Sequence, residues 1–243
     1  MADRSVLGDA LRAAGLVVAG MLLAGGLVRF RQADRTVVVK GVAERDVIAD
    51  LAIWPIRLAV GDNDLSAANA ALQRQVRQVK EFLAEQGLDS SQVTLQEFVV
   101  NDAQAEQYGD PGRRANRFVI RQTLVVRSSE PDKVALAAQR VERLVAAGVA
   151  FTSGAEYGGG GPTFVFTQLN ALKPEMIAES TARAREGAEQ FARDSKSTLG
   201  GIRRASQGLF EILPRDPAPG ISEGSQVAKR VRVVSTVEYV LED

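Results

Sequence analysis

The amino-acid sequence predicts an α+β fold: mainly antiparallel sheets covered by long helices, two helix–hairpin units, preceded by an N-terminal membrane helix. Three observations carry this expectation. An uncharged run of 16 residues lies near the amino terminus. Beyond it, segments with period-two apolar alternation take turns with segments whose apolar residues recur every three or four positions. The order helix, glycine-containing stop, strand, long loop and basic-flanked strand then occurs twice, over residues 64–127 and 172–241. In each repeat one helix can cover the apolar face of one hairpin.

The first element is AAGLVVAGMLLAGGLV, residues 13–28, between Arg12 and Arg29. It is a little short of the roughly 20 apolar residues of a membrane span, and its flanking arginines can snorkel to lengthen it. No clean small-x-small cleavage site precedes the following charges, which argues against a removed signal peptide. A buried soluble helix is the third reading. An uncleaved signal anchor fits best. Arg4 and Arg12 on one side face Arg29, Arg31 and Arg35 on the other, so charge bias barely sets the orientation. The early position of the run places the body outside the cytoplasm.

The β-branched run TVVVKGV predicts a strand over 36–42, and VIADLAIWPIRLAV a second over 47–60, with Pro55 favouring an edge or bulge. Asp62 or Asn63 can cap a helix over 64–86, whose Leu65, Ala68, Leu72, Val76, Val79 and Leu83 form one stripe and whose stop is Gly87. Strands over 92–101 and 116–127 flank the turn-forming Asp110-Pro111-Gly112. In the second strand Phe118, Ile120, Leu124 and Val126 share a face opposite Arg117, Arg121 and Arg127. Ser129 can cap the next helix, with Val134, Ala138, Val141 and Val145 inward and Gly148 at its end. Residues 149–168 read as two short extended pieces around Gly158 to Gly161. A helix over 172–198 has Met176, Ala184, Ala188, Phe191, Ser195 and Leu199 on its inner side, small enough to lie close to a sheet, and Gly200-Gly201 as its stop. Strands at 202–213 and 228–241 close the chain, the last alternating Val231, Val233, Val237, Tyr239 and Leu241 with Arg230, Arg232 and Glu238.

Composition narrows function more sharply than it narrows fold. Thirty basic residues balance thirty acidic ones, which removes any general argument for nucleic-acid binding. Residues 1–35 hold five arginines against three aspartates, leaving a mildly acidic body. There is no Cys and no His. Disulfides, thiolate nucleophiles and histidine-based triads or metal sites are therefore excluded, and the only side chain whose unperturbed pKa lies near neutrality is missing. Enzyme chemistry would have to rest on carboxylates, Lys or Tyr.

The segment VVVKGVAERDVIADLAIWPIRLAV, the Ala/Arg-rich STARAREGAEQFARDSKSTLGGIRRASQGLFEI and the terminal KRVRVVSTVEYVL together resemble the SIMPL domain family of bacterial envelope proteins, formerly a domain of unknown function. The resemblance covers residues 36–243 and rests on the combined order, with Leu199-Gly200-Gly201-Ile202 after the Ala-Arg helix as its most specific part. It implies an envelope protein without an assigned activity. Relatives are linked to stress tolerance, some form large oligomers or channel-like assemblies, and no catalytic residue carries over.

Motifs that mimic chemistry have plainer readings. GISEG, Gly220 to Gly224, matches G-x-S-x-G around Ser222, but it sits in a Pro/Gly loop, leads into a strand and has no histidine base. Gly158 to Gly161 lack the Gly-Lys-Ser/Thr of a phosphate loop. Asp62, Asn63 and Asp64 lack calcium-loop spacing and read as helix-capping residues. Arg183, Arg185 and Arg193, mixed with Glu179, Glu186 and Glu189, read as a solvated helix face. Arg117, Arg121, Arg230 and Arg232 lie on outer strand faces, facing solvent or bridging subunits, and Trp54 beside Pro55 reads as a core or edge anchor.

The expected protein is therefore a non-enzymatic, membrane-anchored periplasmic SIMPL-domain protein acting in oligomeric assembly or protein interaction in the cell envelope. Residues 1–35 would be anchor and linker, and residues 36–243 the domain. Its expected partners are further copies of itself, the inner membrane through residues 13–28, and an envelope protein; no cofactor, metal, catalytic residue or nucleic acid is expected. The alternative is a periplasmic binding module for a small molecule or envelope polymer, which an apolar pocket with a few convergent polar groups would favour. An enzyme using carboxylates or Tyr stands third.

Overall fold

The computed structural model describes residues 14–21, 35–105, 116–152 and 160–242. A helix, α1, covers residues 14–21. The order thereafter is β1 (Thr36–Ile48), β2 (Leu51–Asp62), α2 (Leu65–Glu85), β3 (Val93–Asp102), β4 (Phe118–Ser128), α3 (Pro131–Gln139), α4 (Glu142–Ala146), β5 (Thr163–Val165), α5 (Leu169–Asp194), β6 (Thr198–Gln207), β7 (Glu211–Pro214) and β8 (Ala228–Glu242). The chain forms two compact units: Met1–Glu44 with Lys173–Glu211 and Arg232–Asp243, and Arg45–Leu172 with Ile212–Val231.

In the larger unit, Arg45–Leu172 with Ile212–Val231, strands run in the order β3-β4-β2-β5. Alternation decides which face is covered. Val60, Ile56 and Trp54 of β2 stand opposite Ile120, Leu124 and Val126 of β4, and α2 packs Leu72, Val76, Val79 and Leu83 into the same apolar cluster. The helix begins where the Asp64 carboxylate accepts the Ala67 N–H at 2.8 Å, and it ends at Gly87, whose φ of +77° suits glycine. Pro55 is accommodated because β5 pairs only with Leu51, Ala52 and Ile53. At Pro55 that flank of β2 is already unpaired by β5, so the missing N–H breaks no ladder there.

The smaller unit lays α5 on β1, β8 and β6, neighbours in that order in a four-stranded sheet whose remaining strand, β7, also pairs with β8. The Leu241 N–H bonds the Arg35 carbonyl at 2.9 Å, and Arg232 pairs with Glu44 at 3.5 Å, so β1 and β8 are antiparallel. Val39, Ala184, Ala188, Val237 and Tyr239 form the core. Ser180, Ala184, Ala188 and Ala192 give α5 a face of small residues, and the approach is so close at Gly41 that an added Cβ would sit 1.8 Å from the Ser180 carbonyl oxygen. The Ser180 and Ser235 hydroxyls, both buried, satisfy each other at 2.6 Å.

Several expectations are corrected. Among the described residues no helix is long and apolar enough to cross a membrane. The described part of α1, residues 14–21, rises about 12 Å against a hydrocarbon core of about 30 Å. The expected membrane helix over 13–28, and the single-pass inner-membrane anchoring and periplasmic placement built on it, thus have no spanning helix to rest on among the described residues. Residues 13 and 22–28 lie outside the described residues. The helix after β4 is two helices, broken at Arg140 and Val141; Glu130 rather than Ser129 precedes it, and Val145 is exposed. Helix α5 stops at Asp194, because Lys196 adopts φ +56° and the Ser197 N–H returns to the Ala192 carbonyl. Gly200 and Gly201 therefore lie inside β6, Leu199 belongs to that strand, and Phe191 and Ser195 face outward.

Candidate functional site

Strand β3 closes one edge of the larger unit's sheet, and its register is broken where a site forms. Gln96 pairs with Thr123, and pairing resumes with Val99 opposite Arg121, so β3 spends one more residue than β4 across that step. The bulge sets Glu97 in the left-handed region, φ +52°, a conformation that costs a non-glycine residue energy and recurs at functional sites. Its carboxylate is held by the Thr123 hydroxyl, which donates at 2.9 Å. The bulge also turns apolar side chains outward: Leu95, Phe98, Val99 and Val100 are 43%, 52%, 45% and 42% exposed.

Beside this edge, at the first turn of α2, lies a cleft of about 730 Å³. Its apolar lining is Leu65, Phe98, Val100, Phe118 and Ile120; its polar lining is Asn63, Asp64, Ser66, Asn69 and Arg117. The polar wall is set in advance. Arg117 donates from Nε and Nη2 to the two oxygens of Asp102, both at 3.2 Å, and its guanidinium lies 4.6 Å from the Phe118 ring centre. The Arg117 backbone N–H bonds Asn63 Oδ1 at 3.0 Å. The Arg117 hydrogen bonds, with a further one from the Gln104 backbone N–H, hold the Asp102 carboxyl below its ordinary range. Such a cleft can take an apolar side chain and offer hydrogen bonds at its rim. It has no nucleophile paired with a base.

The residues singled out from sequence scatter rather than converge. Ser222 is exposed at the start of a 3-10 turn, Glu223–Ser225, and its carbonyl accepts from the Ser225 hydroxyl. Gly160 and Gly161 sit in a bend, Gly160 accepting the Trp54 indole N–H at 3.3 Å; Gly158 and Gly159 lie outside the described residues. Trp54 is buried in the core. In the aspartate cluster the cap is Asp64, whereas Asp62 accepts the Asp64 N–H and Asn63 braces Arg117. Arg183 pairs with Glu186 and Arg185 with Glu189 on the exposed face of α5. Arg230 pairs with Asp46 and Arg232 with Glu44. Among the described residues no group of three or more acidic side chains is placed to hold a metal.

Two features escaped the sequence reading. Phe98 and Val99 looked like ordinary strand residues; only the bulge puts both out of the core. Lys229 is fully buried, donating to the Glu223 carbonyl at 2.7 Å and pairing with the Glu223 carboxylate. An acid six residues before a strand lysine was the available signal.

Residues 37–238 match the SIMPL family, described as a protein of unknown function (DUF541). The chain belongs to the SIMPL family. The match reaches from β1 almost to the end of β8 and so takes in both units. Comparison with curated proteins finds no match. The chain has neither His nor Cys, so any chemistry in this SIMPL domain would fall to carboxylates, Lys or Tyr.

Proposed function

We propose that residues 36–243 act as a non-enzymatic interaction domain that assembles with a second copy of the same chain through the edge of β3 and the adjoining cleft. The observation that carries this reading is the exposed apolar edge. Between Val93 and Asp102 the strand has no Lys, Arg or Pro, residues with which edges are often protected, and its bulge leaves Val93–Gln96 and Val99–Asp102 in regular register. Among the described residues no strand pairs with the outer side of β3, so its backbone groups there can accept another strand, and the cleft offers a pocket for an apolar side chain, the two parts of strand-addition recognition. A second copy is the favoured occupant because the chain has zero net charge, so copies do not repel strongly. One two-fold contact also satisfies both edges at once.

The test is the mass of the full chain in solution by light scattering after size exclusion. The expected outcome is an oligomer for the parent protein and a shift toward monomer for Leu95→Lys combined with Val100→Lys, with unchanged circular dichroism. A monomeric parent, or an oligomer indifferent to the two lysines, rejects this interface. Strand addition by a different protein would appear as a monomeric parent that binds a partner through the same residues.

A further inference from the structure

We propose that a second cavity in the larger unit binds a small oxyanion, a molecule carrying a carboxylate or phosphate group. This cavity is separate from the cleft and encloses about 330 Å³, near the lower end of the roughly 300–1,000 Å³ usual for small-molecule sites. Arg57, Glu97, Val99, Arg121, Thr123 and Thr152 are among its lining residues. Arg57 alternates along β2 with the buried Ile56 and Leu58, and Arg121 alternates along β4 with the buried Ile120 and Gln122. Both arginines therefore stand on the sheet face opposite α2.

Register brings them together. Arg57 faces Thr123 and Ala59 faces Arg121, which makes the two arginines diagonal neighbours, about 7–8 Å apart at the backbone. Neither has an ion-pair or hydrogen-bond partner among the described residues. Elsewhere in this unit Arg117, Arg143, Arg215 and Arg230 each hold a carboxylate. One acid shares the cavity: Glu97, set by its left-handed backbone, takes a hydrogen bond from Thr123 and forms an ion pair with neither arginine, so two positive charges face one negative charge. Two like charges on adjacent strands repel each other, and Arg57 is half-buried besides, where an unpaired charge is costly. A bound oxyanion removes both penalties. The planar guanidinium fork matches the geometry of a carboxylate or phosphate, Thr152 can add a hydroxyl donor, and Val99 supplies an apolar wall.

The experiment titrates succinate and, separately, inorganic phosphate into the full chain by calorimetry at constant ionic strength set with chloride. The same titrations are run on Arg57→Gln, Arg121→Gln and, as a charge-matched control, Arg74→Gln on the exposed face of α2. Saturable one-site binding of either anion is expected, weakened about tenfold or more by each cavity substitution, the worth of a lost charge-assisted hydrogen bond, and unchanged by Arg74→Gln. Preference for succinate or for phosphate identifies the oxyanion class. Absence of binding to the parent protein, or binding that survives both cavity substitutions, overturns the proposal. Because the parent titration decides by itself, a poorly folded variant does not shelter the idea.

Discussion

At Lys229 the molecule buries an ammonium completely and answers it with one carboxylate, Glu223, whose side chain is 37% exposed. The two partners are not equivalent. Removing the acid leaves a buried charge with only a carbonyl to bond, whereas removing the lysine leaves a carboxylate that water can reach. Glu223→Ala is therefore expected to cost about 3–5 kcal/mol, and Lys229→Met much less, because an apolar side chain of similar volume often replaces a buried ion without loss. Urea unfolding of the two variants checks the order; equal losses would contradict this account of the pair. Residue identity made Asp62 and Asn63 the expected caps, since Asp and Asn both cap helices well, but Asp64 is the residue that caps. Which acid in Gly61-Asp62-Asn63-Asp64 would do so depends on where the first helical turn starts, a matter of one residue that the motif leaves open.

Elements with strong periodicity were legible almost to their ends. The reading 64–86 compares with Leu65–Glu85 for α2, and 228–241 with Ala228–Glu242 for β8. Misplaced ends have local causes. Lys196 takes the left-handed conformation that glycine usually supplies, so the helix stopped before the glycines that seemed to end it. The β3 bulge was not legible, because Phe98-Val99-Val100 reads as an uninterrupted apolar strand under either register. The link between β1 and β2 also rests on a small feature. Asp50 accepts the Thr167 N–H and hydroxyl, each at 2.8 Å. Partial burial pushes the Asp50 carboxyl up, but those hydrogen bonds outweigh it and leave the group below its ordinary value near 3.8. A depressed carboxylate stabilises the fold above its unfolded value, and that contribution disappears as pH falls through the folded value. Acid unfolding below about pH 4 is thus expected to be partly removed by Thr167→Val, which lowers stability near neutrality and flattens its acid dependence. A parallel displacement of the whole pH curve would contradict the assignment.

For the whole molecule, the repeated order of helix and hairpin foretold two antiparallel sheets with a helix on each, because local periodicity encodes which residues are inward. It could not foretell which strands stand at sheet edges. Edge position depends on pairings between distant segments, such as β2 between β4 and β5, and the exposed face of β3 follows from that order together with the bulge at Glu97. Apolarity near the amino terminus suggested a spanning helix, but among the described residues no helix is long and apolar enough to cross a membrane. The central proposal is that this SIMPL domain works by surface recognition at β3. Hydrogen–deuterium exchange of the full chain across a concentration series tests this most directly, since strand pairing between copies must slow exchange at the edge amides. The account predicts that amides of residues 93–102 become more protected as concentration rises, while residues 214–226 stay unchanged. Protection of β3 that is independent of concentration, or a rise confined to another element, would contradict it.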